Sequence, residues 1–130
     1  MTERISDKEF GELTRFIHRS LAFKDIFIRS ILEGKKTQTA RSPGSFVPHP
    51  NEEVWASCKA KPFTVLKIVS SEARLLGTFD EADAKREGFE SLHDFKAVWK
   101  RIHPRKGFDP ETIVRVYHFE ISPNAEKIMS

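Results

Sequence analysis

The sequence predicts an α+β domain built from a small, mostly antiparallel sheet or barrel with helices at its edges. Helical periodicity, β-branched and aromatic stretches, and turn signals follow one another in the order helix, mixed strands, two helices, strand. The 130 residues are 38% hydrophobic and 32% charged, which is typical of a globular protein. Because this length buries one core but not two, we expect a single domain.

The predicted helices share apolar residues at helical spacing between a capping residue and a stop signal. The last of them carries Leu92, Phe95, Trp99 and Ile102 on one face, which predicts that Trp99 belongs to the core. The helices predicted in this way are 7–20 after the capping box of Ser6 and Glu9, 25–33 between the N-cap Asp25 and Gly34, a short helix from Asp80 to Gly88, and one from Ser91 to Pro104.

The predicted strands are rich in β-branched and aromatic residues and lie between turn signals. In the last strand we expect Ile113, Tyr117, Phe119 and Ile121 to share one side. The predicted strands are 21–24, 37–41, 54–58, 63–70, 74–77 and 113–121, with a long surface loop at 42–53.

Composition excludes several classes of protein. No run approaches the ~18 to 20 apolar residues of a membrane helix, and the mixed charges of the first ten residues predict no signal peptide. Cys58 is a single cysteine and no Cys or His spacing resembles a zinc site, so we expect no internal disulfide, metal or cofactor, and a cytoplasmic location. The net charge of +3 is too small to indicate a nucleic-acid partner by itself.

The segment 31–41 holds the densest group of candidate site residues, directly after a helix stop. Such a corner can direct hydroxyls and cations into one cleft. The same residue types also fit a structural role, because cations offset the negative end of a helix and threonines suit strands. The candidates are Lys35, Lys36, Thr37, Thr39 and Arg41.

The run G-K-K-T-Q-T-A-R after an amphipathic helix resembles the signature of the ASCH domain of the PUA-like superfamily. Downstream, F-D-E-A-D-A-K-R-E-G-F-E-S-L-H-D-F is similar to the helical insert of that family, and a closing strand V-R-V-Y-H-F-E completes the order. The resemblance covers about residues 22–121. It implies a small PUA-like barrel of about five or six strands, with helices at its rim and a cleft for RNA or nucleoside ligands. The predicted divisions are an extra N-terminal helical extension at 1–21, the ASCH domain at 22–122, and a C-terminal tail at 123–130.

One branch of this family hydrolyses the acetyl amide of N(4)-acetylcytidine with a Lys, a Thr and a Glu. Residue by residue, these resemble Lys36, Thr39 and, in A-K-R-E-G, Glu87. Amide hydrolysis needs a nucleophile, a base and an acid for the leaving amine. The resemblance therefore implies Thr39 as nucleophile, Lys36 as base and Glu87 as proton shuttle or orienting group. Arg41 either stabilises an oxyanion or holds a ligand phosphate.

The strand period places a condition on this triad. In one ideal strand over 36–41, Lys36 would point away from the face that carries Thr39 and Arg41. We therefore expect Lys36 in the turn after Gly34, or with its stem curled around the start of the strand. Its pKa must also be lowered towards neutrality by burial or by neighbouring cations if it is to act as a base.

A second basic segment between Phe95 and Phe108 contains no acid. It suits either a phosphate-backbone contact or a solvated helix face with cations at its C-terminal end. Its cations are Lys96, Lys100, Arg101, Arg105 and Lys106. Trp55, which follows the Pro-rich loop, either stacks on a base at the mouth of the cleft or packs one end of the barrel.

These observations predict a domain that binds RNA or a modified pyrimidine nucleoside, with acetylcytidine-type amide hydrolysis as its most concrete enzyme activity. Two alternatives remain open: a non-catalytic RNA-binding module, and a metal-independent ribonuclease with Lys36 and Arg41 near the scissile phosphate. We expect a monomer or a homodimer with no membrane partner.

Overall fold

The computed structural model describes residues 5–44 and 47–130, and it confirms the α+β class. Residues 1–4 of the predicted N-terminal extension and 45–46 of the predicted surface loop lie outside the described residues. Short 3₁₀ turns precede the second and third helices, at Asp25–Phe27 and Leu76–Thr78. The elements are α1 (Asp7–Thr14), β1 (Ser20–Ala22), α2 (Ile28–Leu32), β2 (Gln38–Arg41), β3 (Glu53–Cys58), β4 (Lys61–Leu75), α3 (Glu81–Arg86), α4 (Leu92–Ile102), β5 (Ile113–Ile121) and α5 (Ala125–Met129).

Within the described ranges, the strands form one five-stranded sheet in the order β1-β3-β4-β5-β2. β1 runs parallel to β3, whereas the other pairs are antiparallel. β4 is 15 residues long and pairs with β3 through its first half and with β5 through its second half, with a register shift between Ile68 and Ser70. Such an irregularity bends a strand, and the sheet curls into a half-barrel. Its edge strands β1 and β2 meet where Arg41 Nη2 donates to Ala22 O at 2.6 Å, and we call this open side the seam.

Both faces of β5 contribute to the core. Val114 and Val116 pack with residues of α3 and α4, whereas Phe119 packs with residues of β1, α2 and β3 on the other side. Ile113 and Ile121 alternate onto the same side of the strand as Phe119, as expected, but these end residues are exposed. Each face of the strand is covered over only part of its length, so neither shows a continuous apolar period.

The local capping signals were mostly correct. The Ser6 hydroxyl accepts from the Glu9 N–H at 3.1 Å, the Asp80 carboxylate from the Asp83 N–H at 2.9 Å, and the Ser91 hydroxyl from the Asp94 N–H at 3.1 Å. Asp25 is the exception, because it lies inside a 3₁₀ turn and caps nothing. These caps could be predicted because each hydrogen bond joins two residues that are only three positions apart in the sequence.

Several element boundaries differ from the prediction. Helix α1 ends at Thr14 rather than near residue 20, because residues 20–22 add a parallel strand to β3. The segments 63–70 and 74–77 are not two strands, since β4 runs unbroken to Leu75 and Gly77 lies in a 3₁₀ turn. The C-terminal segment, predicted only as a tail, contains α5, which packs beside α1 over Trp55 and Val65.

Candidate functional site

A cavity of about 300 Å³ lies at the seam. Its polar walls come from the loop before β2, from β2 itself and from the end of α3, and its apolar walls from the end of β1, the turn before α2, and α4. This volume is at the small end of ligand pockets, so the cavity suits one small ligand. The polar lining is Lys24, Lys36, Thr39, Arg41, Ser42, Glu87 and His103, and the aromatic lining is Phe23, Phe27, Phe89, Phe95 and Trp99.

Lys36 lies in the loop between Gly34 and β2, as the condition on the triad requires. Its side chain is 2% exposed, and its ammonium donates to Gln38 O at 2.8 Å, Glu87 O at 3.0 Å and Glu87 Oε1 at 3.4 Å. These acceptors match the three N–H bonds of a protonated lysine. The nitrogen also lies 4.6 Å from the centre of the Phe27 ring, which stabilises its positive charge.

Glu87 follows the last turn of α3 and is also buried. Its Oε2 accepts from Gln38 Nε2 at 2.9 Å, and the backbone N–H of Ala40 also bonds to the carboxylate. Burial raises the pKa of Glu87 and lowers the pKa of Lys36, while the attraction between the two charges opposes both shifts. Burial thus brings the pKa values of Lys36 and Glu87 closer together than those of the free side chains.

Gln38 is a site residue that the sequence analysis missed. It is fully buried, and its amide links Glu87 on one side to Arg86 on the other, whose Nε donates to Gln38 Oε1 at 3.0 Å. Because Arg86 can only donate, it fixes which end of the Gln38 amide faces Glu87. A glutamine in an alternating strand has no sequence signal that separates this role from a solvent-facing position.

Asp83 anchors α3, and with it Glu87, to the sheet. Arg74 of β4 donates to both Asp83 oxygens at 2.8 Å, Arg86 donates at 2.8 Å, and the Asp80 N–H donates at 3.0 Å. Although burial alone would raise the pKa of Asp83, the bonds from Arg74, Asp80 and Arg86 hold that pKa well below its usual value. Asp83 is consequently a structural anion with its charge already balanced.

Thr39 and Arg41 project from β2 into the same cavity. Arg41 Nε donates to Thr39 Oγ1 at 3.3 Å, and the guanidinium lies 4.8 Å from the centre of the Phe23 ring. Burial lowers the pKa of Arg41. Among the described residues, the hydrogen bonds of Lys36 Nζ go to Gln38 and Glu87, so Lys36 and Thr39 share the cavity without a direct bond.

Lys35, Thr37 and Trp55 are among the sequence candidates that do not reach this cavity. Lys35 is exposed, and Thr37 lies beside a separate hollow next to Ile121, because β2 begins at Gln38 and the strand alternation does not extend back to Thr37. Trp55 stacks on Phe10 of α1 with 6.5 Å between ring centres, under the N-terminal and C-terminal helices. The structure thus favours the packing interpretation of Trp55.

The second basic segment lies on α4 and the turn after it. Lys96 is half-buried, with its nitrogen 5.0 Å from the Phe108 ring centre, and the other four cations, Lys100, Arg101, Arg105 and Lys106, are exposed. A different face of the same helix lines the cavity through Val98, Trp99 and Ile102. The exposed cations therefore do not line the cavity.

Trp99 packs against the core cluster that contains Phe79, Phe95 and Val114, as its helical spacing predicted, but it is not fully buried. It is half-buried, lines the cavity, and packs against His103 with 4.4 Å between ring centres. Its burial is incomplete because α4 faces the seam, so that one side of the indole lines the cavity while another packs against the core. The prediction that Trp99 lies on the apolar face of α4 was correct, but part of this face forms a wall of the cavity.

No metal centre is evident in the part of the chain that the structure describes. Across residues 5–44 and 47–130, no three His, Cys, Asp or Glu side chains are grouped to hold an ion. Helices long and apolar enough to cross a bilayer are likewise absent from those ranges. Cys58 is a half-buried free thiol, and His118 lies 3.4 Å from Glu72 on the surface of the sheet, away from the cavity.

Solved structures show the same fold. An ASCH domain from Lactobacillus crispatus aligns over 90% of this chain and 86% of its own, with a TM-score of 0.68 and 16% identity. The protein EF3133 from Enterococcus faecalis, assigned to the family model DUF984, aligns over 88% and 84% with a TM-score of 0.66 and 15% identity. The ASCH protein of Zymomonas mobilis aligns over 78% and 68% with a TM-score of 0.53 and 15% identity.

The chain therefore has an ASCH-like, PUA-like fold, as its sequence motifs predicted. No protein-family model matches the sequence. No curated protein matches it either. At these identities the likeness establishes the architecture, and the activity has to be argued from the cavity itself.

Proposed function

We propose that the seam cavity binds the base of a modified cytidine and hydrolyses its N(4)-acetyl amide to give cytidine and acetate. The observation that carries this proposal is the buried Lys36–Glu87 pair, which shares with Thr39 an aromatic-walled cavity of about 300 Å³. A proton-exchanging pair beside a hydroxyl supplies the groups that amide hydrolysis needs.

The walls support a flat, single-base ligand. Aromatic rings offer stacking surfaces to a nucleobase, and this cavity is too small to enclose several nucleotides. Lys36 and Glu87 pair with each other in the cavity wall, so an exocyclic amide on a stacked base could meet both groups at once.

The chemistry begins with a proton transfer within the pair. When the Lys36 proton moves to Glu87, the neutral amine takes the proton of the Thr39 hydroxyl as Thr39 Oγ1 attacks the acetyl carbon. The C–N bond of the tetrahedral intermediate then breaks, and Glu87 protonates the departing amino group of cytidine. The Lys36 proton then moves to Glu87 a second time, and the neutral amine takes a proton from the water that attacks the Thr39 ester. Glu87 protonates Thr39 Oγ1 as its bond to the acetyl carbon breaks, which restores the hydroxyl and releases acetic acid, which ionises to acetate in solution.

This mechanism requires the Lys36 ammonium to exchange one of its hydrogen bonds to a backbone carbonyl for one to the Thr39 hydroxyl when substrate enters. Catalytic hydrogen bonds often form only in the substrate complex, so the unliganded geometry is compatible with this step. The side chain is long enough to pivot about its buried stem, and Arg41 already holds the Thr39 oxygen at 3.3 Å.

The test is product analysis after incubation with N(4)-acetylcytidine. The parent protein should release cytidine and acetate, whereas Lys36→Ala, Thr39→Val and Glu87→Gln should release none above background. Thr14→Val, which removes a hydroxyl from α1 outside the cavity, is the matched control and should keep full activity. Absence of product from a folded parent protein would refute the hydrolase proposal.

RNA binding is a second candidate function, and the exposed cations of α4 favour it. They lie on the helix that forms one wall of the cavity, so a strand that inserted its terminal base could extend its backbone along them. Binding of a short single-stranded RNA should then weaken steeply as salt rises, whereas binding of a nucleoside should respond little. The double variant Lys100→Gln/Arg101→Gln should reduce the slope of the salt dependence.

A further inference from the structure

The cavity carries more positive than negative charge. Among the described residues that line it, three are cationic, Lys24, Lys36 and Arg41, whereas Glu87 is the single carboxylate. Lys36 and Glu87 are ion-paired and balance each other. Arg41 is therefore left as a half-buried cation that forms no ion pair in the described part of the chain, and Glu87 attracts it only at longer range.

The neighbouring acid does not supply the missing charge. Asp83 lies in the same polar network but is engaged by Arg74 and Arg86, each at 2.8 Å. Burying a charge without a partner is unfavourable. A bound anion would therefore neutralise the excess positive charge around Arg41.

The guanidinium of Arg41 is also held in a fixed position with donors to spare. It uses Nε–H for Thr39 and one Nη2–H for Ala22 O, and its centre lies against the Phe23 ring. A guanidinium has five N–H donors, so three remain without an acceptor among the described residues. A planar, pre-positioned fork of this kind matches the oxygens of a phosphate.

We infer that the ligand of this cavity carries a phosphate group, which Arg41 binds with help from Lys24 at the mouth. The inference rests on the proposed nucleoside site and narrows its ligand to a nucleotide or a phosphate of an RNA strand. Lys24 is exposed and follows Phe23 directly, so it can approach the same anion from the solvent side.

Calorimetric titration at low salt with cytidine, cytidine 5′-monophosphate and inorganic phosphate tests this inference on the parent protein. We expect the monophosphate to bind about tenfold tighter than cytidine, the size of one charge-assisted hydrogen bond. Arg41→Gln should abolish this difference, and Lys24→Gln should reduce it. Arg29→Gln removes one charge from an exposed position of α2 outside the cavity and should preserve it.

Equal affinity for cytidine and its monophosphate would overturn the inference, as would a phosphate preference that survives in both Arg41→Gln and Lys24→Gln. Because Lys24 is exposed, its variant keeps the test valid if Arg41→Gln does not fold. A parent protein that prefers the monophosphate but releases no cytidine from N(4)-acetylcytidine would refute the hydrolase proposal and support the phosphate site. Should neither nucleoside nor nucleotide bind, Arg41-dependent binding of inorganic phosphate would still support the site, and its absence would overturn it.

The source of the phosphate is distinguished by a further titration with a short oligocytidylate without terminal phosphates. Tighter binding of the monophosphate than of the oligomer would identify a free nucleotide. Tighter binding of the oligomer, with a steeper salt dependence, would identify a backbone phosphate of RNA. Both results support a phosphate at Arg41, provided that Arg41→Gln weakens the tighter of the two complexes.

Discussion

Lys36 and Glu87, 51 positions apart in the chain, form an ion pair with 3.4 Å between Nζ and Oε1 and side chains only 2% and 5% exposed. Burial of two charges is unfavourable, and their attraction offsets it only when the remaining donors and acceptors are also satisfied. Here two backbone carbonyls and the Gln38 amide complete the hydrogen bonding. The pair is therefore stable as a unit, and the loss of one member leaves a buried charge.

Lys36→Met is expected to lower the free energy of unfolding by about 3–5 kcal/mol at pH 8, because it leaves Glu87 buried and unpaired. The pKa of Glu87, already raised by burial, rises further without Lys36. Above its ordinary value of 4.5 the unfolded chain then binds fewer protons than the folded one. Stability of the variant should accordingly fall as pH rises, so its deficit is larger at pH 8 than at pH 5.

Urea unfolding at the two pH values measures this deficit. The double variant Lys36→Met/Glu87→Gln removes both charges and should recover most of the lost stability, with no extra loss between pH 5 and pH 8. An equal deficit of the single variant at both pH values would contradict the prediction, since it would mean that Glu87 ionises freely in the folded protein.

Asp83→Asn should destabilise the protein by about 3–5 kcal/mol at pH 7, because Arg74 and Arg86 lose a buried carboxylate. The folded pKa of Asp83 lies well below its ordinary value of 3.8. The stability it contributes is therefore fully present at neutral pH and is lost as pH falls below about that value. The difference between variant and parent in urea unfolding should be smaller at pH 3 than at pH 7. Asp94→Asn, an exposed acid in the first turn of α4, should show neither effect.

Gln38→Met tests whether Gln38 positions Glu87. The substitution preserves volume but removes the 2.9 Å bond that lowers the pKa of the Glu87 carboxyl. If Glu87 must be ionised to accept the Lys36 proton, the acid limb of the pH–rate profile for N(4)-acetylcytidine hydrolysis should move to higher pH. We expect kcat to fall with little change in KM, since Gln38 does not line the cavity. A loss of activity with an unshifted profile would indicate a purely structural role.

Gly88→Ala should perturb the site through backbone geometry. Gly88 has φ of +97°, and a Cβ at this position would lie 2.8 Å from Ser30 Oγ and 3.2 Å from Lys36 Cβ. The expected loss is about 1–3 kcal/mol, with reduced activity because Lys36 is displaced. Gly34→Ala is the matched control, since Gly34 also has positive φ at +76° but open space around its Cβ. Its loss in urea unfolding should be smaller, and a loss equal to that of Gly88→Ala would exclude the proposed steric contact.

The features that the sequence predicted are those that depend on near neighbours or on a matched motif. The caps at Ser6, Asp80 and Ser91 each join residues three apart. Lys36 and Glu87 came from motif resemblance, and the structure brings them together.

What could not be predicted depends on how the sheet curls. The bond of Gln38 to Glu87 joins positions 49 apart, and that of Arg41 to Ala22 crosses the seam. A local sequence pattern cannot predict either hydrogen bond, because the two residues of each are far apart in the chain. The environments of the two tryptophans also depend on the curl of the sheet. The sequence left Trp55 as either a base platform or a packing residue and placed Trp99 in the core, whereas in the structure α1 and α5 cover Trp55 and α4 turns one side of Trp99 to the cavity.

The chain has two tryptophans, so fluorescence can test whether the ligand binds beside Trp99 in the cavity. In Trp55→Phe, fluorescence comes from Trp99 alone, and a base stacked in the cavity should quench it. In Trp99→Phe, the remaining Trp55 lies against Phe10 and outside the cavity lining, so the same titration with cytidine 5′-monophosphate should leave its emission unchanged. Quenching confined to Trp55 would contradict the seam site and place the ligand at the other end of the sheet.

Trp99→Ala tests how much Trp99 contributes to the free energy of ligand binding. A base that stacks on the indole should lose about 1–3 kcal/mol of binding free energy, which calorimetry measures without a fluorescent reporter. The variant should remain folded, because Trp99 is only half-buried and its neighbour Phe95 keeps its stack on Phe79 at 5.4 Å. Unchanged affinity would show that the ligand is held by the polar end of the cavity alone. The aromatic wall would then serve to exclude water from Lys36 and Glu87 rather than to bind the base.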